Sequence, residues 1–466
     1  MYNDQTNGII NFADILENQR DRRGDSPFLS WDGYSCTYGE AQAYVKSQAD
    51  GISQAEIRRT VVAIQVKDPV KQILFFLAVQ KAGHIPVLIH EYLHKQELRE
   101  FLARYQINTV IAEGQEKIFD RRKETSLEEG YFLLQDVGKE EGEFPMAACM
   151  GVMTSGSTSV PKLLFRTAES WAGFFPIQDR VFGITPESRI FIQGSFGFTG
   201  NLNIALDVLC AGGNVKGTSF LKPSLWEQII RENGISHIYL IPSKLRILVK
   251  RLPSAVLSVV MILSGSQSMN DQLVHSLYRL FPNSEVILYY GSTELNYVSW
   301  ISGREILMQP HSVGRIFPGI QAVVKQEEIF VKSPYTVLPA GQFWTSGDMG
   351  YFDSRGFLIF QGRKQDIYNI KGNQVSKSKI LGIMGQHPCC RDVEIMPFQS
   401  DNGETRLEAF IEGEAGSKTE IQRFLETRLH LWEMPVRFFF LSSLPRTSTG
   451  KVDYRALRNL QEKGQF

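Results

Sequence analysis

A chain of 466 residues is too long for one ordinary hydrophobic core, so two or more domains are expected. Hydrophobic residues make up 43% and charged residues 21%, a globular composition that excludes a fibrous or disordered chain. Lys+Arg and Asp+Glu both total 50, so bulk charge recommends neither nucleic acid nor an anionic membrane as partner.

The first residues, MYNDQTNGIINFADILENQRDRR, lack a basic start followed by an apolar core, and no secretory signal is read from them. YGEAQAYVKSQADGI (Tyr38–Ile52) has helical spacing and TVVAIQV (Thr60–Val66) reads as a buried strand. VKQILFFLAVQKAG (Val70–Gly83) is a helix stopped by glycine, with HIPVLI following as a strand. INTVIAE and GVMTSGS add further strands. The order helix, glycine stop, strand recurs in LWEQIIRENG then ISHIYLIP (Leu225–Pro242). The helix-to-strand order returns in DQLVHSLYRLFPN then SEVILYYGS (Asp271–Ser292). Such alternation argues for α/β layers with largely parallel sheets, whose ligands bind beyond the carboxyl ends of strands. The longest apolar runs, such as AVLSVVMIL from Ala255, fall short of a membrane span and suit buried strands.

After Gly314 short alternating strands broken by Gly, Pro, Asp and Asn suggest a small β-rich layer. Beyond GRKQD, the segments VEIMPF, RLEAFIEG, KTEIQRFLETRL and VRFFFLSSLP make a compact α+β unit. The expected architecture is α/β multidomain: a large domain over 1–363, with the β-rich layer from about 314, and a small α+β domain over 364–466. Cys36, Cys149, Cys210, Cys389 and Cys390 show no metal-ligand spacing and read as reduced thiols of a soluble cytoplasmic protein.

The segment MTSGSTSVPKLLFRT (Met153–Thr167) sets six hydroxyl residues and a glycine around a Pro-Lys pair. Taken alone, such a run reads as a flexible connector or as an anion loop whose hydroxyls, N–H groups and Lys162 grip phosphate. Four more segments keep it company. LYYGSTEL (Leu288–Leu295) ends an apolar strand with an aromatic, a glycine, hydroxyls and a carboxylate. TSGDMGYFDSRGFLIFQGRKQD carries Asp348 and Arg363 after glycines. NIKGNQVS sets Gly372 in a tight turn. LPRTSTGKVDYRAL puts Lys451 after a glycine near the C-terminus.

In this order and spacing the set resembles the adenylate-forming superfamily of acyl- and aryl-CoA synthetases, peptide-synthetase adenylation domains and luciferases. The resemblance runs from YGEA at Tyr38 and KAGHIPV at Lys81 to TGKVDY at Thr449. It implies ATP-dependent activation of a carboxylic acid to acyl-AMP, release of pyrophosphate, and transfer to a thiol. By that resemblance Thr154, Ser155, Gly156, Ser157, Thr158 and Lys162 cradle the β- and γ-phosphates. Tyr290, with Gly291 and Ser292, packs against adenine; Thr293 bonds the α-phosphate; Glu294 helps hold Mg²⁺. Asp348 accepts from the ribose hydroxyls and Arg363 reaches the same sugar. Lys451 bridges the substrate carboxylate and the α-phosphate, as a point charge between two repelling anions. The resemblance further implies a mobile small domain, a hinge at Gln365, and a thiol tunnel lined at Gly372.

The chain departs from the pattern in three places. Ser159 and Leu163 stand where glycine is usual, and Gln365 where Asp or Lys is usual. The acid pocket is expected near Phe196, Gly197, Phe198, Ser264 and Gly265. The segment SFGFTG lacks the carboxylate that holds an amino-acid ammonium in relatives, so an apolar acyl or aryl acid is expected instead. Coenzyme A is the expected acceptor. The alternatives are the phosphopantetheine arm of a standalone acyl carrier protein, and a degenerate member that binds nucleotide without turnover.

Overall fold

The computed structural model describes residues 11–462 except 91–92, 115–117, 140–141, 155–160, 310–311, 338–340, 371, 401–402, 415–416 and 447–451. The chain divides into two compact units. One comprises Met1–Arg304, Ile316–Gln321 and Lys332–Gln342; the other comprises Glu305–Arg315, Ala322–Val331 and Phe343–Phe466.

The first unit holds two sheets. In one, the strand order is Arg122–Glu128, Tyr131–Asp136, Thr109–Glu113, Val61–Gln65, Ile85–Leu88, Met150–Thr154 and Lys162–Arg166. Its four inner strands, from Thr109–Glu113 to Met150–Thr154, are parallel, which is why VVAIQ and IPVL read as continuous apolar runs rather than alternating ones. Between Val61–Gln65 and Ile85–Leu88 the chain crosses over through the helix Pro69–Lys81. Asp68 starts that helix by accepting from the Val70 amide at 2.8 Å, and Pro69 occupies its first turn. All of its residues but Lys71 and Lys81 are buried, as its nearly unbroken apolar sequence requires.

The other sheet sets the site. Within this unit its order is Asn296–Ser302, Glu285–Ser292, Met261–Ser264, His237–Tyr239, Arg189–Gln193, Asn214–Thr218, Pro27–Trp31 and Tyr34–Thr37. The six inner strands are parallel. From Arg189–Gln193 the chain passes first to the neighbour Asn214–Thr218 on one side, then to His237–Tyr239 on the other. Strand order therefore reverses at Gln193, and open α/β sheets bind ligands beyond the carboxyl ends of strands at such a reversal. The AVLSVVMIL run differs from expectation: it is strand only from Met261. Before that, Val256 and Val260 donate singly to Leu280 O and Ser236 O and form no ladder, and Leu257 is 64% exposed.

Gln321–Lys325, Glu328–Lys332, Asp348–Phe352, Leu358–Arg363 and Ser312–Ile316, all but their end residues Gln321, Lys332 and Ile316 in the second unit, lie side by side as the β-rich layer. An α+β core follows. Asp392–Gln399 pairs antiparallel with Thr405–Glu412, which pairs parallel with Arg437–Leu441. Val375, Ile380, Ile395, Ile411, Ile421 and Leu425 fill it. The buried Lys377 ammonium is matched there: Glu394 lies at 2.6 Å and the Tyr454 hydroxyl at 2.7 Å. The expected boundary at 363/364 falls inside this unit, where Ser376 Oγ and Ser378 Oγ both donate to Gln361 O. Among the described residues no helix is long and apolar enough to cross a membrane.

Candidate active site

The hydroxyl-rich loop is the connection of a β-hairpin. Met150–Thr154 and Lys162–Arg166 pair antiparallel, and Thr154 stands opposite Lys162 at the open end. Ser155, Gly156, Ser157, Thr158 and Ser159 lie outside the described residues. Lys162 is exposed, with Thr154 half-buried beside the loop. Leu163, one of the departures, is buried and compensated from across the hairpin: its Cδ1 is 2.8 Å from where a Cβ on Gly151 would stand. A side chain at 151 would collide with it.

The strand Glu285–Ser292 turns back into Asn296–Ser302, presenting Thr293 and Glu294 at the turn. Two features permit so tight a return. Asn296 takes a left-handed φ of +62°, and Gly291 lets the backbone approach until a Cβ there would be 2.2 Å from Asn296 O. The turn is pinned through its backbone. Val337 N donates to Glu294 O at 3.0 Å, and Arg166 Nη2 donates to Thr293 O. Arg166 also donates to Tyr335 O at 2.9 Å and Ser170 O at 3.3 Å. Burial pulls its pKa down to about 9, and the nearby Glu294 carboxylate opposes that shift. The side chains of Thr293 and Glu294, together with Tyr290, Gly291 and Ser292, remain half-buried at the surface of the turn. Arg166 escaped the sequence reading; its only signal is an arginine closing the apolar strand KLLFR.

Behind this turn stands a tier of tyrosines. The Tyr239 and Tyr289 hydroxyls meet at 2.6 Å with their rings nearly parallel. Tyr289 stands edge-on to Tyr297 at 4.5 Å, and the Tyr297 hydroxyl donates to Asn203 Oδ1 at 3.1 Å. Burial raises all three phenols above the ordinary tyrosine range, so they are neutral donors and acceptors. Two glycines make room. A Cβ on Gly265 would stand 2.3 Å from the Tyr289 ring, and one on Gly200 would stand 2.2 Å from the Tyr239 hydroxyl.

Of the expected pocket residues, the structure brings Gly265 to this tier. Phe196 is fully buried in the core, its ring 4.8 Å from Trp31, which takes it out of an open pocket. Ser264 is likewise fully buried, its hydroxyl committed to Leu240 O at 2.7 Å. Gly197 approaches the His90 backbone, and Phe198 meets the His90 ring edge-on at 4.0 Å. Burial pushes the His90 imidazole down to about 4, so it is neutral.

In the second unit Asp348 and Arg363 are directly opposed on neighbouring strands, with Arg363 Nε 3.5 Å from the buried Asp348 carboxylate. Ser346 Oγ donates to the same carboxylate at 2.7 Å. Gln365 lies in the single helical turn Lys364–Asp366. Gly372 turns the hairpin Ile367–Ile370/Asn373–Ser376 at φ +84°, with nothing within 4 Å of where its Cβ would be. Lys451 lies outside the described residues, but the base of its loop is closed. Arg446 pairs with Val452, and Asp453 N donates to Pro445 O at 2.8 Å.

The chain is 26% identical over 331 residues to an uncharacterised acyl-CoA ligase (YhfT) of Bacillus subtilis strain 168, covering 67% of this chain and 69% of that one. It is 23% identical to tyrocidine synthase 3 of Brevibacillus parabrevis along 95% of its own length but only 7% of that protein's. The o-succinylbenzoate CoA synthetase of Bacillus subtilis, solved with its acyl-adenylate, shares the fold at a TM-score of 0.81 and 18% identity, covering 95% of this chain and 97% of that one. The profile of the AMP-binding enzymes matches residues 16–351, and with those residues the chain belongs to that adenylate-forming family.

Proposed function

We propose that the protein is an AMP-forming acid–thiol ligase that activates an apolar acyl or aryl acid and passes it to coenzyme A. The observation that carries this reading is the pinned turn at the end of Glu285–Ser292, whose backbone is fixed by Arg166 and Val337 while Thr293 and Glu294 stay half-exposed. Rigid support with accessible oxygens is what a phosphate and cation site requires.

A carboxylate is a poor electrophile, and attack on the α-phosphate of ATP turns it into a mixed anhydride with AMP as leaving group. In this reading Thr293 orients the α-phosphate for in-line attack, and Tyr290 packs on the base. Thr154, Lys162 and the loop between them hold the departing pyrophosphate. Asp348 and Arg363 hold the ribose. Lys451 offsets the charge between acid and phosphate during adenylation, and a swing about Gln365 then exchanges it for the Gly372 turn, which lines the path of the thiol. ATP and magnesium are the cofactors; the o-succinylbenzoate CoA synthetase itself binds both. Among the described residues no cluster of three or more acidic, His or Cys groups forms a metal cage. The half-exposed Glu294 carboxylate suits Mg²⁺, which takes one or two protein oxygens and completes its shell with phosphate and water. Bound there, the ion would neutralise charge on the phosphates.

Mg-ATP and a panel of fatty, aryl and dicarboxylic acids, followed by pyrophosphate–ATP exchange, test the reading. Exchange that depends on the acid and disappears in Lys451→Ala is expected. Tight ATP binding without exchange, unchanged in that variant, would instead identify a non-catalytic nucleotide binder. Transfer to free coenzyme A against transfer to a phosphopantetheinylated carrier protein decides the acceptor.

A further inference from the structure

Where the strand order of the first unit reverses, a cation stands without a counter-charge. Lys244 sits in the first turn of the helix Pro242–Arg251, and its Nζ donates to the main-chain O of Gln193 at 3.0 Å. That is one acceptor for three N–H donors. Among the described residues no carboxylate lies within ion-pairing distance, and burial pulls the ammonium down to about 8. Donors gather at the same spot. Asn201 Nδ2 donates to Ser195 O at 2.9 Å and lies 3.5 Å from Gln193 O. The helices that begin at Thr199 and Pro242 both lack a side-chain cap, so their first-turn N–H groups add positive potential there. Gly194, at φ +107°, leaves room beside the cation: a Cβ there would stand 3.3 Å from Nζ. An ammonium partly drawn out of water with a single neutral acceptor is costly, and an anion supplied by a ligand reduces that cost.

We propose that Lys244 determines the substrate class: the acid carries an anionic group, in its simplest form a second carboxylate, at the end remote from the carboxylate that is activated. The inference rests on the ligase reading and amends its apolar acid to one whose apolar body ends in a charge. The tyrosine tier limits the apolar body of the acid, and Lys244 receives its charged end.

Matched acids of similar size test this: adipate against heptanoate, and terephthalate against para-toluate, in the wild-type protein, Lys244→Met and Lys244→Arg. The wild type is expected to favour each diacid in kcat/KM by about tenfold or more, the worth of a charge-assisted hydrogen bond. Lys244→Met is expected to lose that preference while retaining the neutral acids and the KM for ATP; Lys244→Arg keeps part of it. Equal use of both acids by the wild type, or equal loss of both in Lys244→Met, overturns the proposal. So does a rise in the KM for ATP alone, which would assign the cation to the nucleotide. Calorimetry of the diacids on the ATP-free protein separates the two readings. Should no acid support exchange, the ligase reading fails, and diacid binding that vanishes in Lys244→Met still upholds the anion site. Absence of diacid binding together with absence of exchange overturns both.

Discussion

The buried guanidinium of Arg166 donates to the main-chain oxygen of Thr293, tying the strand that follows the hydroxyl-rich loop to the turn that carries Glu294. Lys162 and Arg166 are the two ends of one five-residue strand, the first exposed and the second buried. Arg166→Met removes the donor to three carbonyls at once, at a cost of about 3 kcal/mol or more. Thermal unfolding should report that loss. Pyrophosphate exchange should fall by about tenfold or more at temperatures where circular dichroism shows the variant still folded. Arg166→Lys, which reaches fewer of the carbonyls, should fall between. Wild-type exchange by folded Arg166→Met would show that the turn does not depend on this clamp.

Asp207, on the helix Thr199–Ala211, is fully buried beside the Asp179 carboxyl and the Gln178 amide. Burial and the adjacent Asp179 carboxyl raise its pKa well above the ordinary aspartate value, and burial lifts Asp179 to about 6. A proton shared between the two carboxyls accounts for both. The folded chain thus holds protons that the unfolded chain releases near pH 4, so stability is expected to decline as pH rises through about 6. Asp207→Asn supplies a permanent donor. It should raise the unfolding temperature at pH 8, by about 2 kcal/mol of added stability, with the gain shrinking toward pH 4. A gain that is the same at both pH values would show that no proton is shared.

The hydroxyls of Ser376 and Ser378 converge on Gln361 O, and Gly362, at φ +136°, lies so close that a Cβ would be 2.9 Å from Ser378 Oγ. These bonds span the proposed hinge. Replacing both serines by alanine should alter the two half-reactions in opposite directions, by about threefold to tenfold each, since a latch of one or two hydrogen bonds biases an equilibrium by that much. Acyl-adenylate formation and thiolation of a supplied acyl-adenylate are measured separately. Equal changes in both would mean that the serines stabilise the fold without biasing a swing.

Tyr289 fills the space that Gly265 leaves open. Gly265→Ala should therefore abolish acid-dependent exchange, whereas Tyr289→Ala should admit acids several carbons longer at a stability cost of about 3 kcal/mol. Combining the two should restore folding relative to Gly265→Ala alone. An acid-length profile unmoved in Tyr289→Ala would show that the tier is core rather than pocket wall.

The alternation of helix and strand was legible because a parallel strand buried on both faces must be apolar throughout, as VVAIQ and IPVL are. The motif segments were legible as well, since turns next to phosphates demand hydroxyls, glycine and charge in short runs. Other residues declared nothing. Phe196 and Phe198 stand two positions apart, yet one packs into the core against Trp31 and the other meets His90. Period-two alternation does not hold across the loop that joins a strand to a helix, so their surroundings could not be ranked in advance. Tyr239 and Tyr289 are ordinary strand-end aromatics until the fold brings two distant strand ends together. Arg166 and Lys244 are single cations without any motif.

Local chemistry written in the chain determined the layers and the family, because hydrophobic period and turn composition act between near neighbours. The tertiary fold decided what surrounds Lys244. The reversal of strand order at Gln193 brings Lys244, Gly194 and Asn201 together from separate segments, and the cost of leaving that ammonium without a counter-charge arises only once packing has partly withdrawn it from water.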